Sequence, residues 1–328
     1  MRIRFEFPAG LSMEFCKFAV SQQMSMMGKV VFGKLSWMAL LSGVLFVCCG
    51  QLSVESAESG DVVGNDEDGK LELKLAPGLT KVAGDEFEAG DRIGVFMTYS
   101  KTETYLDNQE FAASDAGGGM LEWKAAGKLC WKDESTPADF RCYHPYTVDA
   151  TGKQMLQCRV AADQRTHKAF SESDILWGEN LQVDPTSDCV ELMMNHCTGQ
   201  IVIELVPGKG YDENTLLSSI EGVVLKGAVC GAQLYLITGE LVASGNAEDL
   251  IPNVDGLNFR ALVPPQNIGN FEVKMTVAGI ERSLKTSLEI VPNRRKRCTI
   301  TVNKVTEGVN VGIGGWEDDD EDFGGVLK

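Results

Sequence analysis

From residue 71 onward the chain is a succession of short β-forming runs, broken by Gly, Pro or Asn turn signals roughly every 8–12 residues. Leu71-Glu72-Leu73-Lys74-Leu75 alternates with a period of two and stops at Pro77-Gly78. Arg92 to Tyr99 (RIGVFMTY) and Ile201 to Leu205 (IVIEL) are β-rich apolar runs, and the second half repeats the theme. Strands are expected over Ser219 to Leu225, Ala232 to Ile237, Phe259 to Val263, Phe271 to Val277, Leu284 to Val291 and Cys298 to Val305, with a short last one from Val309 to Ile313. No segment carries a long 3.6-residue apolar stripe; only short helical turns are expected, near Asp212 to Ser219 and Phe170 to Leu176. Such a pattern predicts an all-β chain of sandwich or barrel type and argues against a parallel sheet wrapped by helices.

Length then sets the number of units. With 328 residues, of which 44% are hydrophobic, the chain can fill two cores of ordinary size. The expected boundary is Pro207-Gly208-Lys209-Gly210, since strand patterns run up to it from both sides. This gives an N-terminal sandwich over 70–207 and a C-terminal sandwich over 208–328 that ends in the acidic run Glu317 to Asp322. Residues 50–69 are rich in Ser, Glu, Asp and Gly without apolar periodicity and read as a flexible acidic tether.

Ahead of the tether lies an export signal. Lys29 and Lys34 precede the uncharged run Trp37 to Val47 (WMALLSGVLFV), a positive n-region and an apolar h-region shorter than the ~20 residues of a membrane-spanning helix. The run ends in Cys48-Cys49-Gly50, which resembles a bacterial lipobox; Cys49, with a small residue just before it, is the favoured acylation site, and Cys48 is the alternative. Residues 1–49 are thus read as a signal peptide, with Met26 or Met27 as a more usual start. The expected location is the outer membrane, surface exposed, held by lipid through the acylated cysteine.

Charge narrows the partners. Thirty Lys and Arg against 47 Asp and Glu give a net charge of -17, which excludes sequence-independent nucleic-acid binding because that requires cations to displace counterions. The basic cluster Arg294-Arg295-Lys296-Arg297 reads as a solvated turn, with a nick site for a trypsin-like protease as the alternative. With Cys16, Cys48 and Cys49 set aside, Cys130, Cys142, Cys158, Cys189, Cys197, Cys230 and Cys298 form an odd set without a CxxC spacing, so most are expected to be small core residues.

No catalytic set emerges, and no cofactor is called for. The three histidines are His144, His167 and His196, and the chain has no GxSxG, P-loop or HExxH. Cys142, His144, Cys189, His196 and Cys197 lack the short ligand pairs of a zinc site. Asp163 and Asp174 form a carboxylate pair only by composition, and Gly312, Gly314 and Gly315 follow a strand without opening a helix. Tyr99, Tyr105 and Trp177 are candidate exposed aromatics for a glycan- or protein-binding surface.

An ordered series of short motifs remains: Asp91-Arg92-Ile93-Gly94-Val95-Phe96-Met97, Trp123, Tyr143-His144-Pro145-Tyr146, Asp163-Gln164, Ser173-Asp174-Ile175-Leu176, Leu192 to His196 followed by Gln200 to Leu205, Val263-Pro264-Pro265-Gln266, and Val309-x-Val311-Gly312-Ile313-x-x-Trp316. In this order, behind a lipobox, they resemble the fimbrillin family of the Bacteroidales, the subunits and adhesins of type V pili. The resemblance spans about Leu71 to Gly324.

It implies two tandem transthyretin-like (Greek-key) β-sandwich domains and assembly with other fimbrial subunits by strand exchange. In polymerising members a protease removes the first strand, here Leu71 to Leu75, and a neighbour's C-terminal strand fills the groove. Family stalk subunits are cut after an arginine; between Gly50 and Asp91 this chain offers only Lys70, Lys74 and Lys81 as candidate processing sites. The run Glu317 to Asp322 is a poor donor, so the donor is expected to be Cys298 to Ile313 itself. The alternative is a lipid-anchored surface protein that does not polymerise and binds glycans or host proteins.

Overall fold

In a computed structural model the described residues are 70–79, 86–100, 103–305 and 308–318. They form nineteen strands and little helix. The strands are β1 (Lys74–Leu79), β2 (Arg92–Ser100), β3 (Glu103–Gly117), β4 (Met120–Lys124), β5 (Ala138–His144), β6 (Met155–Arg159), β7 (Leu176–Val183), β8 (Cys189–His196), β9 (Gly199–Pro207) and β10 (Ile220–Val229). They continue as β11 (Gly231–Tyr235), β12 (Leu241–Ala243), β13 (Ala247–Leu250), β14 (Asn253–Asp255), β15 (Asn258–Val263), β16 (Gln266–Val277), β17 (Ile280–Ile290), β18 (Arg295–Val305) and β19 (Gly308–Asp318). Two short helices intervene, α1 (His167–Ser171) and α2 (Glu213–Ser219). A capping box starts α2: Asp212 accepts from the Thr215 backbone while the Thr215 hydroxyl accepts from the Asp212 N–H.

Four sheets result. A seven-stranded sheet has the order β1-β8-β7-β5-β2-β3-β4, a four-stranded sheet β13-β10-β16-β17, a three-stranded sheet β12-β11-β6, and a five-stranded sheet β14-β15-β9-β18-β19. Pairing between the strands is antiparallel except at β1 on β8 and β18 on β9. Strands β6 and β9, which precede Gly208, pair with strands that follow Val229.

Two apolar clusters lie within this framework. One gathers Leu73, Leu75, Ile93, Val95, Met97, Phe111, Trp131, Phe140, Leu192 and Met194 under the seven-stranded sheet. The other is larger and includes Leu156, Ile201, Ile203, Leu225, Leu234, Phe259, Phe271, Val273 and Ile300. Adjacent residues on one strand reach opposite clusters, because side chains alternate across a sheet: Cys142 enters the first and Tyr143 the second. Ile175 and Leu176 are divided in the same way.

Three local readings change. Pro77 and Gly78 do not end the first strand, which runs on to Leu79. The strand lies at a sheet edge, where a proline's missing N–H removes no ladder bond. Helix α1 ends at Ser171, and Leu176 instead begins β7. Finally, Arg295, Lys296 and Arg297 lie within β18 rather than in a solvated turn, with Arg295 Nε donating to Gln200 Oε1 at 2.7 Å and Arg297 3.4 Å from Glu204.

Candidate functional site

Of the segments that the sequence reading assigns to processing and exchange, β1 and β19 lie at sheet edges. At the first edge the chain enters by pairing with the segment before β5: Leu73 N donates to Leu129 O at 2.8 Å, and Trp131 N to Leu71 O at 2.9 Å. It then changes partner, and β1 runs parallel to β8 from Lys74 opposite Cys189 to Leu79 opposite Met194. Leu73 and Leu75 are buried, with Leu71 and Leu79 packed on the same cluster. Residues 71–79 therefore close the seven-stranded sheet with a backbone ladder on one side and a row of leucines on the other.

Burying Leu73 and Leu75 stabilises this arrangement by about 3–6 kcal/mol together, at roughly 1.5–3 kcal/mol for each side chain. Without the segment, the edge of β8 from Cys189 to Met194 loses its partner, and the apolar pocket around Trp131, Phe140, Leu192 and Met194 opens.

The second edge belongs to β19, which pairs antiparallel to β18 from Lys296 opposite Asp318 to Val305 opposite Gly308. The segment Cys298 to Ile313 is thus two elements with unlike positions. Strand β18 lies between β9 and β19, and its Cys298, Ile300 and Val302 are fully buried, so it is part of the core. Strand β19, with Val309, Val311 and Ile313 at alternating positions, is the outermost strand of its sheet.

The candidate processing lysines separate. Lys70 is exposed just before the first bridge, Lys74 is half-buried within β1, and Lys81 lies outside the described residues, as do Cys48 and Cys49. The candidate aromatics are structurally engaged. The Tyr99 hydroxyl accepts from Lys132 N at 2.7 Å, the Tyr105 hydroxyl donates to Cys130 O at 2.9 Å, and Trp177 Nε1 donates to Leu236 O at 2.9 Å.

The candidate histidines His144 and His196 and the carboxylates Asp163 and Asp174 have partners within the fold. His196 Nδ1 lies 2.7 Å from Asp174 Oδ1, and His144 Nδ1 lies 2.9 Å from Arg92 O. Asp163 pairs with Arg165 at 2.6 Å, whose side-chain hydrogen bond holds the carboxyl below its usual range. Burial pushes the Cys142 thiol up to about 12, which keeps it protonated and unreactive. Among the described residues no group of three or more His, Cys, Asp or Glu side chains is placed to hold a metal ion.

Several of the short motifs act as hydrogen-bond hubs that sequence reading does not foresee. The Tyr143 hydroxyl lies 2.7 Å from Asn108 Oδ1 and 2.9 Å from Thr147 O. Gln266 Oε1 accepts from Val229 N and its Nε2 donates to Val229 O, both at 2.9 Å. Their signal in the sequence is a polar residue set inside an apolar run, which is informative only once its partner is known.

The described residues form an all-β protein with β1 and β19 at sheet edges. The family model described as fimbrillin-like matches residues 80–316, and the chain belongs to that family of fimbrial subunits and fimbria-associated adhesins. A cell adhesion protein assigned as such from Bacteroides uniformis has a similar fold, with a TM-score of 0.62 at 19% identity over 77% of this chain and 99% of that one. A second from Bacteroides ovatus reaches 0.61 at 14% identity, over 76% and 98%. The tip fimbrial protein Mfa3 from Porphyromonas gingivalis gives 0.45 at 8% identity, over 76% and 99%. No curated protein matches the chain.

Proposed function

We propose that this chain is a fimbrial subunit that joins its neighbours by β-strand addition, after export and acylation at Cys49 or Cys48. The observation that carries the reading is the parallel seating of β1 on β8 at the sheet edge. One segment, 71–79, supplies both a ladder and the leucines that fill the pocket beneath. Its loss would leave a trench that only another alternating strand can fill.

Position selects among the lysines. A cut after Lys70 leaves the whole segment in place, and one after Lys74 leaves β1 from Leu75 to Leu79. Only a cut after Lys81 frees all of 71–79. The edge position of β19 makes it the strand this chain would donate, with β18 retained as core. A head-to-tail contact of this type does not close on itself and gives a fibre.

In this reading two transthyretin-like sandwiches are arranged by sheet rather than divided at one point in the chain. The first centres on the seven-stranded sheet, and the second takes in β6 and β9 along with the strands from β10 onward. Intact mass and N-terminal sequence of the protein recovered from the outer membrane test the proposal. A lipid-free form beginning at Val82 supports strand exchange. An acylated chain with 50–81 intact assigns it to an anchor or tip, and a full-length cytoplasmic chain overturns both.

A further inference from the structure

Trp131 lies against the segment that closes the seven-stranded sheet. Its backbone N–H donates to Leu71 O at 2.9 Å, and Leu73 N donates to Leu129 O at 2.8 Å, on either side of the antiparallel bridge between Glu72 and Cys130. That register sets Leu71 across from Trp131 and Leu73 across from Leu129. Cross-strand partners share a face with about 5 Å between their Cβ atoms, so Leu71 is the neighbour of the indole in the closing segment. All four side chains belong to the apolar cluster under the sheet or pack against it.

The Trp131 side chain is 1% exposed and meets Phe140 edge-on, with ring centroids 5.7 Å apart. Among the described residues its buried Nε1–H has no hydrogen-bond acceptor. Buried tryptophans usually pair this group, and even the half-buried Trp177 donates to Leu236 O at 2.9 Å. The cross-strand neighbour, Leu71, is a hydrocarbon and offers no acceptor. The resident segment therefore fills the pocket by volume and leaves a desolvated donor unmet, which costs free energy as long as that segment stays seated.

We infer that Trp131 is a specificity-determining residue for the strand that replaces residues 71–79. It favours an extended segment of another subunit with a hydrogen-bond acceptor at the position of Leu71 and apolar residues at those of Leu73 and Leu75. Leu71 is half-buried whereas Leu73 and Leu75 are buried. An amide or carboxylate side chain there reaches the indole with one oxygen and keeps its other polar atoms in water. A wholly apolar strand only reproduces what the resident segment already supplies. A strand that also bonds the indole gains over it, which gives the exchange a direction.

The inference rests on the strand-addition reading, and its test separates the two. The full chain is cut at a protease site placed after Lys81, freed of residues 71–79, and titrated with synthetic peptides of that segment, one unaltered and one with Leu71→Gln. The glutamine peptide should bind about tenfold more tightly, and in Trp131→Phe protein the two should bind alike. Equal affinities for the Trp131 protein, or a glutamine advantage that persists in Trp131→Phe, overturn the inference and leave strand addition standing. Failure of both peptides to bind overturns both. The uncut chain supplies a second measurement that needs no exchange. There Leu71→Gln should move the Trp131 indole N–H proton resonance downfield, and a resonance left in place overturns the inference.

Discussion

Gln164 and the backbone of Leu262 bond to each other in both directions: Nε2 donates to Leu262 O at 2.8 Å, and Oε1 accepts from Leu262 N at 2.9 Å. The glutamine is fully buried and does the work of a strand partner where the loop before α1 meets β15. Gln164→Met keeps much of the volume but leaves two buried backbone groups unpaired. At roughly 1–3 kcal/mol for each group, urea unfolding should show a loss of about 2–6 kcal/mol. A variant within 0.5 kcal/mol of the parent, about the scatter of ordinary surface changes, would show that water replaces the amide.

Gly94 carries a different constraint. A Cβ built on it would lie 2.2 Å from Cε1 of Tyr143 and 2.6 Å from Oδ1 of Asn108, inside the hub that ties β3 to the turn after β5. Because Tyr143 is buried and held at both ends, it cannot move aside cheaply. Gly94→Ala should destabilise by about 3 kcal/mol, with the near-ultraviolet dichroism of the tyrosines changed. The companion Tyr143→Phe keeps the ring against Gly94 and removes only the hydroxyl, so it should cost less than the alanine.

These two sites mark what sequence pattern conveys. The apolar runs at Arg92 to Tyr99, Ile201 to Leu205 and Phe271 to Val277 are legible because one local period decides them. The long strand β3 is not, since ETYLDNQEFAASDAG mixes polar and apolar residues and bends at Asn108, whose φ of 55° lies in the left-handed region. Partnership is hidden altogether. That β6 pairs with β11, or that β18 lies parallel on β9, depends on contacts about 75 to 95 residues apart in the chain, and no window of sequence reports them.

The buried thiols predict an alkaline limit to stability. Burial raises Cys142 to about 12 and Cys158 and Cys230 to about 11, from a reference of 9.0. A raised folded-state value means that the folded chain keeps a proton that the unfolded chain releases. The associated stability is intact below about pH 9 and falls as pH rises through 11 to 12. At pH 8 a maleimide should leave Cys142, Cys158 and Cys230 unlabelled in the folded protein and label them in urea. Rapid native labelling at Cys142 would mean that the seven-stranded sheet opens locally far below global unfolding.

The edge strand gives the most direct mechanical prediction. A specific protease site placed immediately after Lys81 allows residues 71–79 to be released from an otherwise intact, folded chain. Release removes the burial of Leu73 and Leu75, worth about 3–6 kcal/mol, and unpairs β8 from Cys189 to Met194. The cut protein should bind a synthetic peptide of residues 71–79 and, without it, associate into larger species by light scattering. A cut after Lys70, which leaves every one of those residues seated, should change neither stability nor size. The same comparison with Leu73→Asn and Leu75→Asn in the peptide separates ladder from pocket. Binding that survives both changes would mean that backbone bonds alone hold the edge. Loss of binding would place the selectivity in the leucine pocket, which is where an incoming subunit's alternating strand would have to be read.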